Sequence, residues 1–485
     1  MSGMDSKDQI IAELRQTVAE LTALVQQQAE EIQSLKLQLA KAQKNSANSS
    51  KPPSSDFVKP KPKQSKPGRP KKRKRGAQPG HQRHLRELLP EERVNHFVEH
   101  QIADDEVQRL GLTPSDEFQR IQHIELPESP LEITEHQLRV YHAPDGQAYI
   151  PDVPELDKLP LFGPRLIAMI GWLKSEAHAS YTTIETWMED VLQVPVSRGY
   201  LTQLCTKTIS ESLQDAHQEL EEALVRQSVL GSDETSFKNN GKKHWIWCIS
   251  ATMFSFFYIA QNRSREVLES LVGTEFQGYF NFDYFSSNSS FVWRYDIKAQ
   301  FCWAHLIRDI RFLTKHPDES TRIWAEQLLE RSRRMFSAWH RRETMTAEGR
   351  ERSFRLHRER FLMLVRNPPD SSEAANLAAR FEIVKYTRGD SKEAHYQDLS
   401  DDYFRFLEVD GLEPTNNHSE QQIRHCVIDR LITQGTRGEA GQRYHERMWT
   451  AIATCRKQGR SFYQFLCDSI QAKLHGEQAP SLLPT

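Results

Sequence analysis

The chain is 485 residues long, more than one hydrophobic core usually organises, so two or three globular pieces with accessory segments are expected. Apolar residues make up 38% and charged residues 27%, ordinary for a soluble protein with polar tails, and no apolar run is long enough to span a bilayer, which excludes a membrane-embedded class. The net charge is −2, yet Lys51 to Gly80 holds eight Lys and three Arg against the single Asp56; one basic segment within an otherwise acidic chain points to a nucleic-acid partner for that stretch.

The start, MSGMDSKDQ, has no apolar stretch behind basic residues, so no secretory signal is read there and the cytoplasm is the expected compartment. From Ile11 to Ala42 apolar residues step by three and four. Ile11, Val18, Val25, Ile32 and Leu39 share one heptad position, Leu14, Leu21 and Leu35 the other, and Gln28 interrupts the second set. Mostly β-branched residues at the first position and Leu at the second favour a parallel two-stranded coiled coil over 1–44, hence a homo-oligomer; an amphipathic helix lying on its own domain is the competing reading. Residues 45–80, rich in Ser, Pro, Lys and Gly, cannot bury a core and predict a flexible basic linker. Within it Gly68-Arg69-Pro70-Lys71-Lys72 approaches the core of an AT-hook, with Pro67 where a further Arg belongs. Arg69, Lys71, Lys72, Arg73, Lys74 and Arg75 are therefore candidate DNA contacts of low sequence preference, set against a plain solvated tail.

Over 81–160 the runs RIQHIEL and LEITEHQLRVY alternate, and Pro144-Asp145-Gly146 marks a turn before QAYI, predicting a small β-containing module. His96 and His100, spaced by four, lack further ligands and are read as surface residues. Over 161–225 the pattern is helical, with a break at Val194-Pro195-Val196 and a new helix capped by Ser197. That outline fits a DNA-reading helix-turn-helix presenting Arg198, Tyr200 and Gln203, and fits a plain helical bundle equally.

Beyond this, Ser228-Val229-Leu230 leads to Asp233, followed by an Asn239-Asn240-Gly241 turn and the β-rich runs HWIWCISAT and FSFFYIA. The chain returns through Gly278-Tyr279-Phe280-Asn281-Phe282 to Asp283, a second strand ending in a carboxylate. Glu420 falls in the first turns of a helix opened by Pro414-Thr415-Asn416-Asn417, with Arg424 one turn later. Three carboxylates brought together by a fold can hold two divalent cations about 3.5 to 4 Å apart and cut a phosphodiester; hard oxygen ligands suit Mg²⁺ or Mn²⁺. On residue type alone, solvated loop acids explain the same pattern, since the chain holds 66 acidic residues.

The strings VLGSDET, GKKHWIW, FCWAHLIRDIRF and EPTNNHSEQQIR, in this order, resemble the catalytic domain of insertion sequence sixty-six family transposases of the TnpC type. KNSANSSKPPSSD, RKRGAQPGH, FGPRLIAMIGWLKSEAH and VPVSRGYL extend the resemblance over nearly the whole chain. It implies a ribonuclease-H-like DDE core over 226–475 in a multidomain α+β protein, with Asp233, Asp283 and Glu420 as catalytic metal ligands. The long interval between the second and third acids leaves room for a helical insertion, and residues 308–400, dense in Arg, Glu and Leu, suit one. The implied activity is metal-dependent cleavage at transposon ends and strand transfer into target double-stranded DNA, with companion proteins as further candidate partners, no membrane, and a nucleoid-associated location. His305 and Arg308, with Asn417 and Arg424, are candidate active-site support; a core role for His305 beside Cys302 and a capping role for Asn416 and Asn417 are the alternatives. Arg437 and Arg443 are candidate phosphate contacts or part of a solvated face.

Two departures from the family pattern matter. Members commonly carry a cysteine zinc motif after the linker, whereas this chain has no Cys before Cys205, so no zinc is expected. The residues after the second acid are Tyr284-Phe285-Ser286 rather than Gly-Tyr. The competing function classes are a non-catalytic DNA-binding repressor or domesticated relic, and a metal nuclease without joining activity.

Overall fold

A computed structural model describes residues 4–42, 88–113, 119–128, 130–145, 147–154, 159–284, 286–387 and 394–484. The basic linker with Arg69, Lys71, Lys72, Arg73, Lys74 and Arg75 lies outside the described residues. The chain divides into two units, Lys61–Pro151 and a larger one made of Met1–Pro60 with Asp152–Thr485.

Helix α1 (Met4–Ala42) runs through all of the heptads, and the heptad residues Ile11, Leu14, Val18, Leu21, Val25, Ile32, Leu35 and Leu39 stay exposed along the single chain. In the unit Lys61–Pro151 the described elements are a 3-10 turn (Glu91–Arg93), a short helix, α2 (Asp104–Leu110), and a hairpin of two-residue strands, β1 (Tyr141–His142) and β2 (Ala148–Tyr149). Asp145 supports the hairpin turn by accepting from the Gln147 N–H. Among the described residues of the expected β-containing module, 81–160, this hairpin is the paired β structure. The alternating runs on either side of Pro127 acquire no strand partner among the described residues, and Ile121 and Ile133 stay 87% and 79% exposed. His96 and His100 are exposed, as surface residues should be.

The larger unit is built on a five-stranded mixed sheet. Strands β3 (Val229–Asn239), β4 (Lys242–Ser250) and β5 (Ser255–Ala260) form an antiparallel meander. Asn240 and Gly241, at φ of 50° and 73°, make the tight turn between the first two, a geometry that an Asn-Gly pair adopts easily. The chain crosses over through α7 (Arg265–Val272) to β6 (Tyr279–Phe282), and through α8 (Ser286–Arg294) to β7 (Lys298–Phe301), both parallel additions. The order is β5-β4-β3-β6-β7. Along β4, Trp247 and Ile249 enter one core while Ile246 and Cys248 enter another on the opposite face, as a period of two requires.

The second face is covered by α14 (Asn417–Thr433) and α15 (Glu439–Gln458), with Trp449 packed edge-on against Phe237 and Phe257. Helix α15 also closes the sheet's edge. Glu446, Thr450 and Thr454, each one turn apart, accept from the N–H groups of Ile259, Phe257 and Ser255, alternate residues of β5 whose donors face away from β4. An open strand edge is thereby satisfied by side chains.

Helices α3 (Pro164–Ser175), α4 (Tyr181–Leu192), α5 (Arg198–Gln203) and α6 (Gln214–Ala223) follow the predicted pattern, and Ser197 caps α5 by accepting from the Tyr200 N–H. They do not form a body of their own, as the expected boundary between 161–225 and 226–475 requires. One continuous core joins Phe162, Ile167 and Leu201 to the sheet and to α16 (Phe462–His475), because the apolar faces of α3 and of the π-helical turn Leu204–Ile209 are covered by C-terminal helices. A Cβ on Gly171 would stand 2.9 Å from the Ile209 side chain and 3.0 Å from that of Leu466, which marks how tightly these side chains pack on α3.

The stretch expected to hold a helical insertion, about 308–400, opens inside α9 (Trp303–Leu313), which carries Arg308 and directly follows β7; after it come α10 (Glu319–His340), α11 (Ala347–Val365), α12 (Ser372–Ala378), the hairpin β8 (Ile383–Thr387) and β9 (Ala394–Asp398), and α13 (Leu399–Phe404). Trp303 anchors them, its ring meeting Phe336, Phe361 and Phe404 edge-on.

Candidate active site

Asp233 lies within β3, and Asp283 stands one residue past the end of β6. Their strands pair in parallel with Gly231 opposite Asn281, so continuing the register by two residues sets the two carboxylates side by side at the C-terminal end of β6. Glu420 reaches them from the first turn of α14, and the start of that helix is fixed by the strands themselves. Asn281 donates to the carbonyls of Glu413 (2.7 Å) and Thr415 (3.3 Å), Trp303 N–H to the carbonyl of Pro414 (2.9 Å), and Asn416 N–H to Cys302 Sγ (3.2 Å). The Asn416 side chain donates to the Ser232 carbonyl at 2.6 Å rather than capping α14, which corrects that alternative reading. Gly231 is required where they meet, since a Cβ there would lie 2.4 Å from Ser419 Oγ and 2.9 Å from Asn416 Oδ1.

The electrostatics are those of crowded acids. Asp233 is pushed well above the usual carboxylate range, first by burial and then by Glu234, Asp283 and Glu420. Asp283 is raised by burial and by Glu420, against the opposing pull of Arg263 and Arg308. Glu234, next to Asp233, is pushed up to about 7 by burial and by Asp283 although it is ion-paired with Arg263. Glu420 Oε1 is shut off from solvent with no hydrogen-bond partner, 3.6 Å from both His305 Nδ1 and Arg308 Nη2. Burial, reinforced by Arg308, lowers His305 to about 4, so it faces Glu420 as a neutral imidazole.

The candidate support residues thus divide. His305 and Arg308 converge on Glu420, whereas Asn417 and Arg424 are exposed on α14. Arg443 is engaged by Glu446 at 2.9 Å and Glu439 at 3.5 Å, and Arg437 is exposed. Arg198 and Gln203 are exposed on α5, with Arg198 3.4 Å from Glu185 on α4. Sequence reasoning passed over Glu234 and Arg263; a carboxylate adjoining the first acid, with an Arg just beyond β5, was the available signal. Among the described residues, ligand atoms mutually within 4.8 Å occur in two groups, Cys302 with His305 and Glu420, and His178 with His425 and Asp429. No helix among the described residues is long and apolar enough to cross a membrane.

Residues 160–444 match the model of the transposase IS66 family. Residues 4–87, spanning α1 and the basic linker, match a family of unknown function (DUF6444). No curated protein matches the chain.

Proposed function

This chain belongs to the IS66 transposase family, and on that footing we propose that it is a DDE enzyme which cuts DNA at transposon ends and joins the freed 3′-hydroxyl to target DNA, with Asp233, Asp283 and Glu420 as the catalytic acids. DNA is the partner that family membership implies. The observation that carries the catalytic reading is the convergence of those three acids from β3, from the end of β6 and from α14, close enough that each of the other two raises Asp233. The sheet order β5-β4-β3-β6-β7, with one acid inside β3 and the other just past the end of its parallel neighbour β6, supports a ribonuclease-H-like core.

The residues fit a pair of Mg²⁺ or Mn²⁺ ions. The donors are hard carboxylate oxygens, burial and mutual repulsion hold Asp233 and Asp283 reluctant to ionise without added positive charge, and a Glu420 oxygen is buried with no proton donor. Held by Asp233, Asp283 and Glu420, such ions would supply a lowered pKa for an attacking water or hydroxyl and stabilisation of the leaving oxygen. The chain's own contribution is to fix the acids: Asn281 and Asn416 hold the segment before α14, Gly231 lets it approach, and Arg263 keeps Glu234 paired. Arg308 and neutral His305 stand beside Glu420, where a scissile phosphate finds a cation and a hydrogen-bond donor. The basic linker supplies affinity for any DNA, Arg198 and Gln203 on α5 face DNA from the helical segment, and α1 pairs two chains as a coiled coil.

The test is an in vitro reaction with the host element's terminal DNA and Mg²⁺ or Mn²⁺, comparing the native chain with Glu420→Gln for end cleavage and joined product. Joined product from the native chain alone is expected. Cleavage without joining would reduce the reading to a nuclease, and end binding without breakage, companion proteins supplied, would leave a DNA-binding relic.

A further inference from the structure

A second cluster lies on the same helix as Glu420. His178 follows α3 in the turn before Ser180 and holds a φ of 56°, a left-handed conformation that a side-chain-bearing residue adopts at a cost. Its Nδ1 lies 2.6 Å from Asp429 Oδ1, and its ring centroid 4.3 Å from that of His425. His425 and Asp429, four residues apart, share one face of α14. One ligand atom from each of the three residues falls within 4.8 Å of the others. Asp429 is buried and its second oxygen accepts from Trp449 Nε1 at 2.6 Å. His425 Nε2 is closed off from solvent and has no hydrogen-bond partner.

We infer that His178, His425 and Asp429 form a binding site for a divalent transition-metal ion, Zn²⁺ by the chemistry of its donors, which clamps the turn after α3 to the helix that carries Glu420. Two imidazoles and one carboxylate are a recognised zinc set, and nitrogen donors select such an ion over Mg²⁺. Bonds of about 2.0–2.1 Å at tetrahedral angles need donor atoms roughly 3.3 Å apart. The 2.6 Å contact between His178 and Asp429 is therefore the hydrogen bond of the metal-free form. It opens by less than an ångström as the ion enters, Nδ1 gives up its proton to solvent, and His178 binds as a neutral imidazole with its one proton on Nε2. The ion would then tie α3, α14 and, through Asp429 and Trp449, α15. The expectation of no zinc rested on missing cysteines, and this site uses none.

The experiment is a Zn²⁺ titration of the metal-free full-length chain against a chromophoric chelator, for the native protein, His178→Ala, His425→Ala, Glu420→Gln and Cys302→Ala. Circular dichroism without metal checks that each variant is folded. Residues that merely hydrogen-bond a ligand change metal affinity by about 10–100-fold, so loss of a ligand itself should weaken binding by at least that much. One tight ion per chain is expected in the native protein, Glu420→Gln and Cys302→Ala, with tenfold or greater weakening in the two histidine variants. Zinc bound by the native chain no more tightly than by folded His178→Ala and His425→Ala overturns the site. So does zinc that survives His425→Ala but is lost with Glu420→Gln or Cys302→Ala, which would put the ion among Cys302, His305 and Glu420. The Co²⁺ spectrum of the native chain decides even if the variants misfold: d–d bands without a thiolate charge-transfer band are expected, and a thiolate band overturns the assignment.

Discussion

Residues 228–301 and residues 119–150 both place apolar side chains on alternate positions, yet the first stretch forms a five-stranded sheet and the second, among the described residues, a hairpin of two-residue strands. In the sheet each apolar face has a cover. Trp247 and Ile249 enter the main core, Ile246 and Cys248 lie under α14 and α15, and even the edge donors of β5 find acceptors on α15. In the other stretch Ile121 and Ile133 have no covering layer among the described residues and are open to solvent. Alternation is thus a request for two partners, a neighbouring strand and a covering layer. A strand forms where the rest of the chain supplies both.

The sharpest way to break this contrast is to remove the cover. Trp449→Ala takes away the ring against Phe237 and Phe257 together with the hydrogen bond to Asp429, and should cost about 3–5 kcal/mol in chemical denaturation. Next comes the contact between sheet and acid helix. Gly231→Ala drives a methyl against Ser419 and Asn416 and should destabilise by roughly 1–3 kcal/mol, with Ser419→Ala recovering part of the loss in a double-mutant cycle.

A local device that needs no core gives a smaller effect. Asp318 caps α10, accepting from Ser320 and Thr321, which hold its carboxyl down at about 2 against an ordinary 3.8. Because the folded form binds the proton more weakly than the unfolded chain, this stabilisation is complete above pH 3.8 and lost as pH falls through about 2. Asp318→Ala should cost about 1 kcal/mol near neutral pH and flatten that acid limb of the stability profile. Smallest of all, Ile121→Ala and Ile133→Ala should stay within about 0.5 kcal/mol, as for other exposed positions. A loss comparable to that of Trp449→Ala would mean that the alternating runs of 119–150 have a cover after all.

Reading the residues in order located the two acid-bearing strands, the Asn-Gly turn, the Ser197 cap and the helix containing Glu420, because each is encoded by neighbours a few positions apart. The resemblance carried by VLGSDET and EPTNNHSEQQIR singled out the same three acids among many. The misreadings have a shared cause. The helices of 161–225 look self-sufficient until α15 and α16 are seen to share their core, and Asn416 looks like a cap until the Ser232 carbonyl is found beside it. Glu234 and Arg263 drew no notice, since nothing in their spacing reveals that they pair next to Asp283.

Sequence alone therefore determined the local vocabulary of this protein, its helix starts, turns, strand phases and stock of carboxylates, all of which follow from backbone preference and side-chain period over a few residues. Only the tertiary structure decided which faces are covered, which acids share one field, and which histidines meet across α14. Desolvation and charge coupling depend on distance in space, and residues remote along the chain set that distance.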